Sequence, residues 1–343
     1  MTFIVIGGCH LTERICSSKQ EIRLLVFAVF LYFCLLMILA AVCQRFGWSN
    51  DYVGYKKIFT FEYGQRRESV EPFFRLLRYI NDIYFSSALL PIYVFTALFS
   101  FCVKWRAFCF ITGKRPYLIF FCHTLCFFWI LEYTQIRASC AIAIFLCSIP
   151  DLANGKASRF LAKAVLATLF HYSAFLMLFF FIYMKIFKSK KWYVLLPVVG
   201  LMFAVLCNAM FGTRLREVMY LVESALGLRK SGNISDFMSP FNSKYLMLLV
   251  MFLINAAATP RSDAVNTVMM KSMSFGLCFY YWLNPLWLPV ISVRLAEFYT
   301  SVFVLYFFLN IRNFRLKEKN VCRICVLVVA ALYSVASIKT AIL

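Results

Sequence analysis

The stretch EYTQIRASCA at residues 132–141 sets Gln135 and Arg137 between two strongly apolar runs. An ionisable side chain at the centre of a membrane helix costs about 2.5–3.5 kcal/mol, and less near the interface. Three further ionisable groups stand in comparable places. His171 separates the runs 160–170 and 173–187, Arg294 follows the helix-breaking NPLWLP, and Asp51 lies in the polar stretch after the first long apolar run. Arginine binds anions through a permanently charged planar fork, whereas histidine and carboxylates exchange protons. Singly, each has a plainer explanation, since arginines snorkel to headgroups and a buried histidine is satisfied by one hydrogen bond. Local pairing competes as well. Glu132, Gln135 and Ser139 share a face at i, i+3 and i+7 of a continuous helix, and Arg294 and Glu297 are i, i+3 partners. Convergence of all four groups at one depth favours a wet cleft.

The elements that must position them are membrane helices. Of 343 residues 63% are hydrophobic, and runs such as LLVFAVFLYFCLLMILAAVC exceed what a soluble core buries all round. The fold class is therefore all-α and polytopic. Apolar spans are read at 24–43, 86–103, 117–134, 138–150, 160–170, 173–187, 193–212, 244–258, 272–290, 295–311 and 321–342, about eleven in a single integral-membrane domain, 1–343. Some are shorter than the roughly 20 residues of a perpendicular crossing, so they end early, re-enter or bend inside protein. The region 160–187 could be one tilted helix, but two crossings keep the basic clusters on one side. A net charge of +21 would suggest nucleic acid in a soluble chain; here the positive-inside bias accounts for it, with no stacking platform for a nucleic-acid partner. With the N-terminus cytoplasmic and Arg14, Lys19 and Arg23 before an uncleaved first anchor, inner segments hold 21 of the Lys and Arg and five acids, outer segments 15 and ten.

Two outer loops, 44–85 and 213–243, are long, so function is expected outside. In EPFFRLLRYINDIYF, Pro72 opens a helix with 73, 76, 77, 80, 83 and 84 on one stripe and Arg75, Arg78 and Asp82 opposite, the pattern of an interfacial helix. Leu215, Val218, Met219, Val222 and Leu226 repeat that spacing before Gly227. Most of the fourteen cysteines lie in or beside apolar spans as small buried side chains; Cys322 and Cys325 form one CxxC without a second ligand pair, and histidines 10, 123 and 171 are too scattered for a metal site. No internal repeat is present.

Five short elements, in order, resemble a known family. WSNDYVGYKKIF is similar to the N-x-D-x-x-x-Y feature of the first outer loop of EpsG-family membrane proteins, and VEPFF to their following E-P/G-aromatic element. EYTQIRASCAIAI resembles their Q-x-I/R-R-x-x-x-A helix start, LFHYSAFLMLF their F-H-x-S-A element, and SVRLAEFY their late R-x-x-x-F/Y element. Ala138 and Ser139 depart from the pattern, where a second glutamine is common.

The resemblance implies a Wzy-type polysaccharide polymerase with a GT-C-like fold. Such an enzyme moves a glycan from undecaprenyl diphosphate to a lipid-linked repeat unit on the periplasmic side of the inner membrane, beside a flippase and a chain-length regulator. It assigns Arg137 and Arg294 to the diphosphates and His171 or Asp51 to the base. Gln135, Tyr55 and Glu297 would bind the sugars, and Glu71 would fix the loop. No metal or cofactor is required, because two arginines supply the cationic field. The rival readings are a lipid-linked oligosaccharide flippase or transporter, an integral-membrane acyltransferase and a non-catalytic scaffold. A transporter more often shows paired halves and polar residues near the midplane.

Overall fold

In hydrocarbon, backbone N–H and C=O groups must be paired within the segment, which leaves the α-helix as the economical solution for an apolar chain. The computed structural model describes residues 24–42 apart from 25 and 29, then 51–60, 70–113, 116–225, 239–258, 263–286, 289–310 and 328–335 apart from 329. Among them there is no strand. The helices are α1 (Val26–Val42), α2 (Tyr52–Phe59), α3 (Pro72–Phe85), α4 (Leu89–Thr112), α5 (Tyr117–Phe127), α6 (Ile136–Ala153) and α7 (Ala157–Phe170). They continue as α8 (Leu176–Ile186), α9 (Lys190–Ala225), α10 (Ser243–Ala258), α11 (Ala264–Leu283), α12 (Pro289–Thr300) and α13 (Phe303–Asn310). Leu89–Thr112, Ile136–Ala153, Lys190–Met210 and Ile291–Asn310 are long and apolar enough to cross a membrane, and shorter apolar helices accompany them. The chain is a multi-pass helical membrane protein. The span expected at 321–342 lies largely outside the described residues, as do Cys322, Cys325 and Gly227.

α6 is the axis of the bundle, buried at almost every residue from Ile136 to Pro150 and packed on α4, α7 and α11. Its Ala138, Cys140, Ala141 and Ala143 let neighbouring backbones approach, as small residues do in membrane helices. The Cys140 thiol donates to the Thr96 carbonyl (3.8 Å) and the Cys147 thiol to the Val103 carbonyl (3.5 Å), so α4 and α6 run parallel with a constant register. On the far side, α11 packs on α12 at Gly276, where an added Cβ would lie 3.0 Å from the Ala296 carbonyl oxygen and the Tyr299 and Thr300 side chains. Pro197 in α9 removes the amide that would have served the Tyr193 carbonyl. Ser274 of α11 donates its hydroxyl to that carbonyl instead, and also bonds the Tyr183 hydroxyl of α8 (2.8 Å).

Several expectations are corrected here. The run 117–134 is helical only to Phe127; residues 128–134 form a buried turn that satisfies its own backbone through Tyr133 N–H to Phe128 O (3.0 Å) and Gln135 N–H to Ile130 O (2.8 Å). The helix expected from 215 is not a separate element, because α9 runs unbroken through it to Ala225. Three lysines take part in helix packing. Lys104 is buried inside α4, Lys271 inside α11 donates to the Met184 carbonyl (3.1 Å), and Lys163 binds Asp151 (2.5 Å) and the Cys147 carbonyl (2.7 Å). Cys102 is exposed rather than buried. Two expected features are present. The region 160–187 divides at His171, whose extended backbone (φ −155°, ψ 120°) ends α7. Pro72 opens α3, whose Leu76, Ile80, Ile83 and Tyr84 stay exposed while Phe74 and Asn81 face the bundle.

Lys104 forms an ion pair with Glu132 of the 128–134 turn, and both are almost fully shielded. Ser139 of α6 takes part through Lys104 Nζ (2.9 Å), and Ser100 bonds Ser139 (2.7 Å) and Glu132 (3.2 Å). Removing one member of a buried pair strands the other charge, at a cost of about 3–5 kcal/mol, whereas removing both is far cheaper. Lys104→Met is thus expected to lower the melting temperature of the detergent-purified protein sharply, and Lys104→Met/Glu132→Gln to recover most of the loss. A single variant that melts like the wild type would show that the pair is not coupled.

Candidate functional site

Glu71, Arg137 and His171 come from three separate elements and meet directly. Glu71 immediately precedes α3, where Pro72 fixes the chain direction; Arg137 is the second residue of α6; His171 ends α7. Their neighbours hold them in place. The Phe73 and Phe170 rings stack at 3.9 Å, and the Tyr172 hydroxyl donates to the Val70 carbonyl (3.3 Å). One Glu71 oxygen accepts from an Arg137 guanidinium N–H, and the other lies 3.0 Å from His171 Nδ1. The Glu71 side chain is 4% exposed, Arg137 21% and His171 16%, so the two partners face an opening that the carboxylate does not reach.

The electrostatics follow from this contact. Burial works against the Glu71 carboxylate, but the hydrogen bond from His171 and the charge of Arg137 outweigh it and hold the group down at about 2. Glu71 is therefore an anion at neutral pH and accepts only. His171 therefore donates its Nδ1–H to that carboxylate. Tyr55 of α2 lies beside the pair, its ring centre 5.8 Å from the guanidinium carbon. Burial pushes its phenol up, Asp51 adds to that, and the charges of Arg137 and Arg294 oppose it. Asp51, Arg137 and Arg294 thus all act by charge on Tyr55.

A second cluster adjoins the first through the N-terminus of α6. Gln135 donates its amide to Glu297 of α12 (3.3 Å), whose other oxygen accepts from Lys244 of α10 (2.7 Å). Lys244 is packed between the Tyr333 ring (4.8 Å) and the Tyr245 ring (5.5 Å). The Gln135 side chain does not cap α6, so the amides of its first turn have no helical partner and the positive end of the helix dipole coincides with Arg137. Arg137 Nε is also buried without a hydrogen-bond partner. Two positive sources at one point, with Glu71 as the carboxylate bonded to Arg137 among the described residues, are an arrangement suited to a further anion.

The structure brings together Glu71, Tyr55, Arg137 and His171 by contact, and Gln135 with Glu297. Arg294 is exposed on α12, and Asp51 is half-buried before α2; both act on Tyr55 by charge. Of the local pairings read from sequence, only Glu132 with Ser139 is formed among the described residues, the Ser139 hydroxyl lying 3.2 Å from a Glu132 oxygen. Because residues 128–134 are not helical, Glu132 points to α4 while Gln135 points to α12, and Glu297 binds Lys244 rather than Arg294. Glu71 does more than fix a loop, since it orders both an arginine and a histidine. Lys244 was missed. Its signal was a lone lysine directly ahead of the apolar run YLMLLVMFLI. Among the described residues, no three His, Cys, Asp or Glu side chains are gathered as metal ligands.

Neither a curated protein nor a solved structure matches the chain. The model of the EpsG family matches residues 27–342, which takes in every element described above from α2 to α13. A membrane bundle with its arginine, histidine and carboxylate gathered at helix ends thus belongs to the EpsG family, a family of Wzy-type polysaccharide polymerases.

Proposed function

We propose that the chain transfers a growing glycan from undecaprenyl diphosphate to a hydroxyl of a lipid-linked repeat unit at the extracytoplasmic rim of the bacterial inner membrane. The observation that carries this reading is the shielded Glu71 carboxylate shared between Arg137 and His171. The excess of Lys and Arg in the segments read as inner supports a cytoplasmic N-terminus, and the family resemblance supports a GT-C-like arrangement of about eleven crossings. A flippase that delivers the units and a chain-length regulator are the partners of such an enzyme.

In this reaction the acceptor hydroxyl attacks C1 of the carrier-bound sugar. Its proton passes to His171 Nε2, the new C–O bond forms, and the bond from C1 to the diphosphate oxygen breaks with its electrons leaving on the diphosphate. Arg137 and the first amides of α6 take up the developing negative charge, with Arg294 as a second cation near the opening. Glu71 stabilises the imidazolium formed as His171 accepts the proton. Gln135 has committed its N–H to Glu297, so its carbonyl oxygen is free to accept from a sugar hydroxyl, with Tyr55 beside it. The carboxylate at Nδ1 favours His171 over Asp51 as the base.

Arg137→Ala is expected to abolish polymer while the protein stays in the membrane, and Arg137→Lys to rescue it only partly because a point charge lacks the fork. A normal ladder from Arg137→Ala on a gel of cell-surface glycan would refute the assignment. His171→Asn should lower the polymerisation rate by roughly 10²–10⁴-fold, the range of a general base, and Asp51→Asn far less. The opposite order would move the base to Asp51.

Glu71 also sets an acid limit. A carboxylate whose folded value is depressed from 4.5 to about 2 contributes stability that is full above 4.5 and is lost as the pH falls toward 2. The melting temperature should fall across that window, and more shallowly in Glu71→Gln, from a lower starting value. Equal slopes for both proteins would show that Glu71 is not the linked group.

A further inference from the structure

Far from the polar clusters, at the end of the bundle where α9 begins and α10 finishes, a groove of about 470 Å³ opens between the two helices. Its walls are Val194, Leu195 and Val198 of α9 with Leu253, Ala256 and Ala257 of α10, and Lys190 and Lys191 stand at its mouth. The groove exists because each helix is committed elsewhere. Gly200 of α9 is pressed against Trp282 of α11, whose indole N–H donates to the Leu196 carbonyl (3.3 Å), and α10 packs on α11 and α13. α9 and α10 therefore lean on a common neighbour and barely meet each other.

We infer that this groove binds an anionic phospholipid, with an acyl chain between α9 and α10 and its phosphate at Lys190 and Lys191. Lys190–Met210 is an apolar membrane stretch, so the lysines mark its boundary and the apolar walls lie at acyl-chain depth. An apolar cleft open to the bilayer suits an acyl chain, which brings no polar group to be satisfied there. Its volume is within the range of small-molecule pockets, about 300–1,000 Å³. What selects the headgroup is charge. Two adjacent lysines stand in the first turn of α9 at the mouth of the groove, and each adds attraction for an anionic headgroup at the membrane surface. Lys185 and Lys188 extend the same basic cluster, on the face that the positive-inside count assigns to the cytoplasm.

The test uses the full-length protein, delipidated in detergent and titrated with phosphatidylglycerol or phosphatidylcholine in mixed micelles, with melting temperature and native mass spectrometry as readouts. Phosphatidylglycerol is expected to raise the melting temperature and to appear as a bound species, and phosphatidylcholine and inorganic phosphate to do neither. Lys190→Gln/Lys191→Gln, at the surface and outside the candidate active site, should weaken phosphatidylglycerol binding roughly thirtyfold, as two lysines near an anionic headgroup imply, with polymer synthesis in detergent unchanged. Ala257→Trp, which fills the groove and leaves both lysines, should abolish the bound species. Equal binding of the two lipids, binding that survives either variant, or a shift produced by phosphate alone would overturn the assignment. None of these readouts depends on the polymerase reaction.

Discussion

A carboxylate almost cut off from water accepts from a guanidinium on one oxygen and an imidazole on the other, and the geometry of the site answers to that contact. At low local dielectric an unpaired Glu71 would be protonated or would reject the fold, so its two partners are structural requirements as well as candidate chemistry. They bring the start of α3, the start of α6 and the end of α7 to one point. The Phe73–Phe170 stack closes the same junction from its apolar side. Polar specificity and aromatic burial thus define one position twice, which is how a site made of helix ends becomes rigid.

The connection from α5 to α6 repeats this device in three directions. Glu132 binds Lys104 of α4, Gln135 reaches Glu297 of α12, and Arg137 binds Glu71 of α3. On a continuous helix the first two would share a face and could not serve separate neighbours. The buried turn at 128–134 separates them, and it is tolerated at membrane depth because its carbonyls at Phe128, Trp129 and Ile130 are all occupied. The arginine at the join of two apolar helices therefore sits in the first turn of α6, directly after a short irregular segment whose neighbours fix its direction.

This also explains how much could be read beforehand. Helix class, the break at His171 and the amphipathic α3 follow from apolar run length and Pro72, and the cost of charge in a membrane singles out Arg137 and His171; that Glu71 joins them while Arg294 stays exposed on α12 is not a local signal. Neither is the choice of partners. Lys104 reads as the end of a span because nothing nearby in the chain cancels its charge, while Glu132, 28 residues on, does so in space. Lys244 and Glu297 are 53 residues apart and equally silent when read singly. A lone charge in an apolar run reads as a boundary, and only packing turns it into half of a pair.

The two demands of the proposed transfer have opposite signs, and Glu71 stands between them. Positive charge appears on His171 as it takes the proton, next to a carboxylate already ionised and held at about 2, so the imidazolium forms without any group having to reorganise. Negative charge appears on the departing diphosphate, near Arg137 and the uncapped start of α6, where Glu71 offsets only part of the positive field. A neutral residue at position 71 would leave Arg137 more electropositive and better able to bind phosphate, yet would remove the counter-charge for His171 and the tautomer that exposes Nε2. Tighter binding of the carrier in the ground state would then coexist with slower transfer, because only interactions that strengthen in the transition state accelerate the step. That division assigns Glu71 to the rate and Arg137 to both binding and rate, and it follows from one shared carboxylate rather than from any property of the residues taken alone.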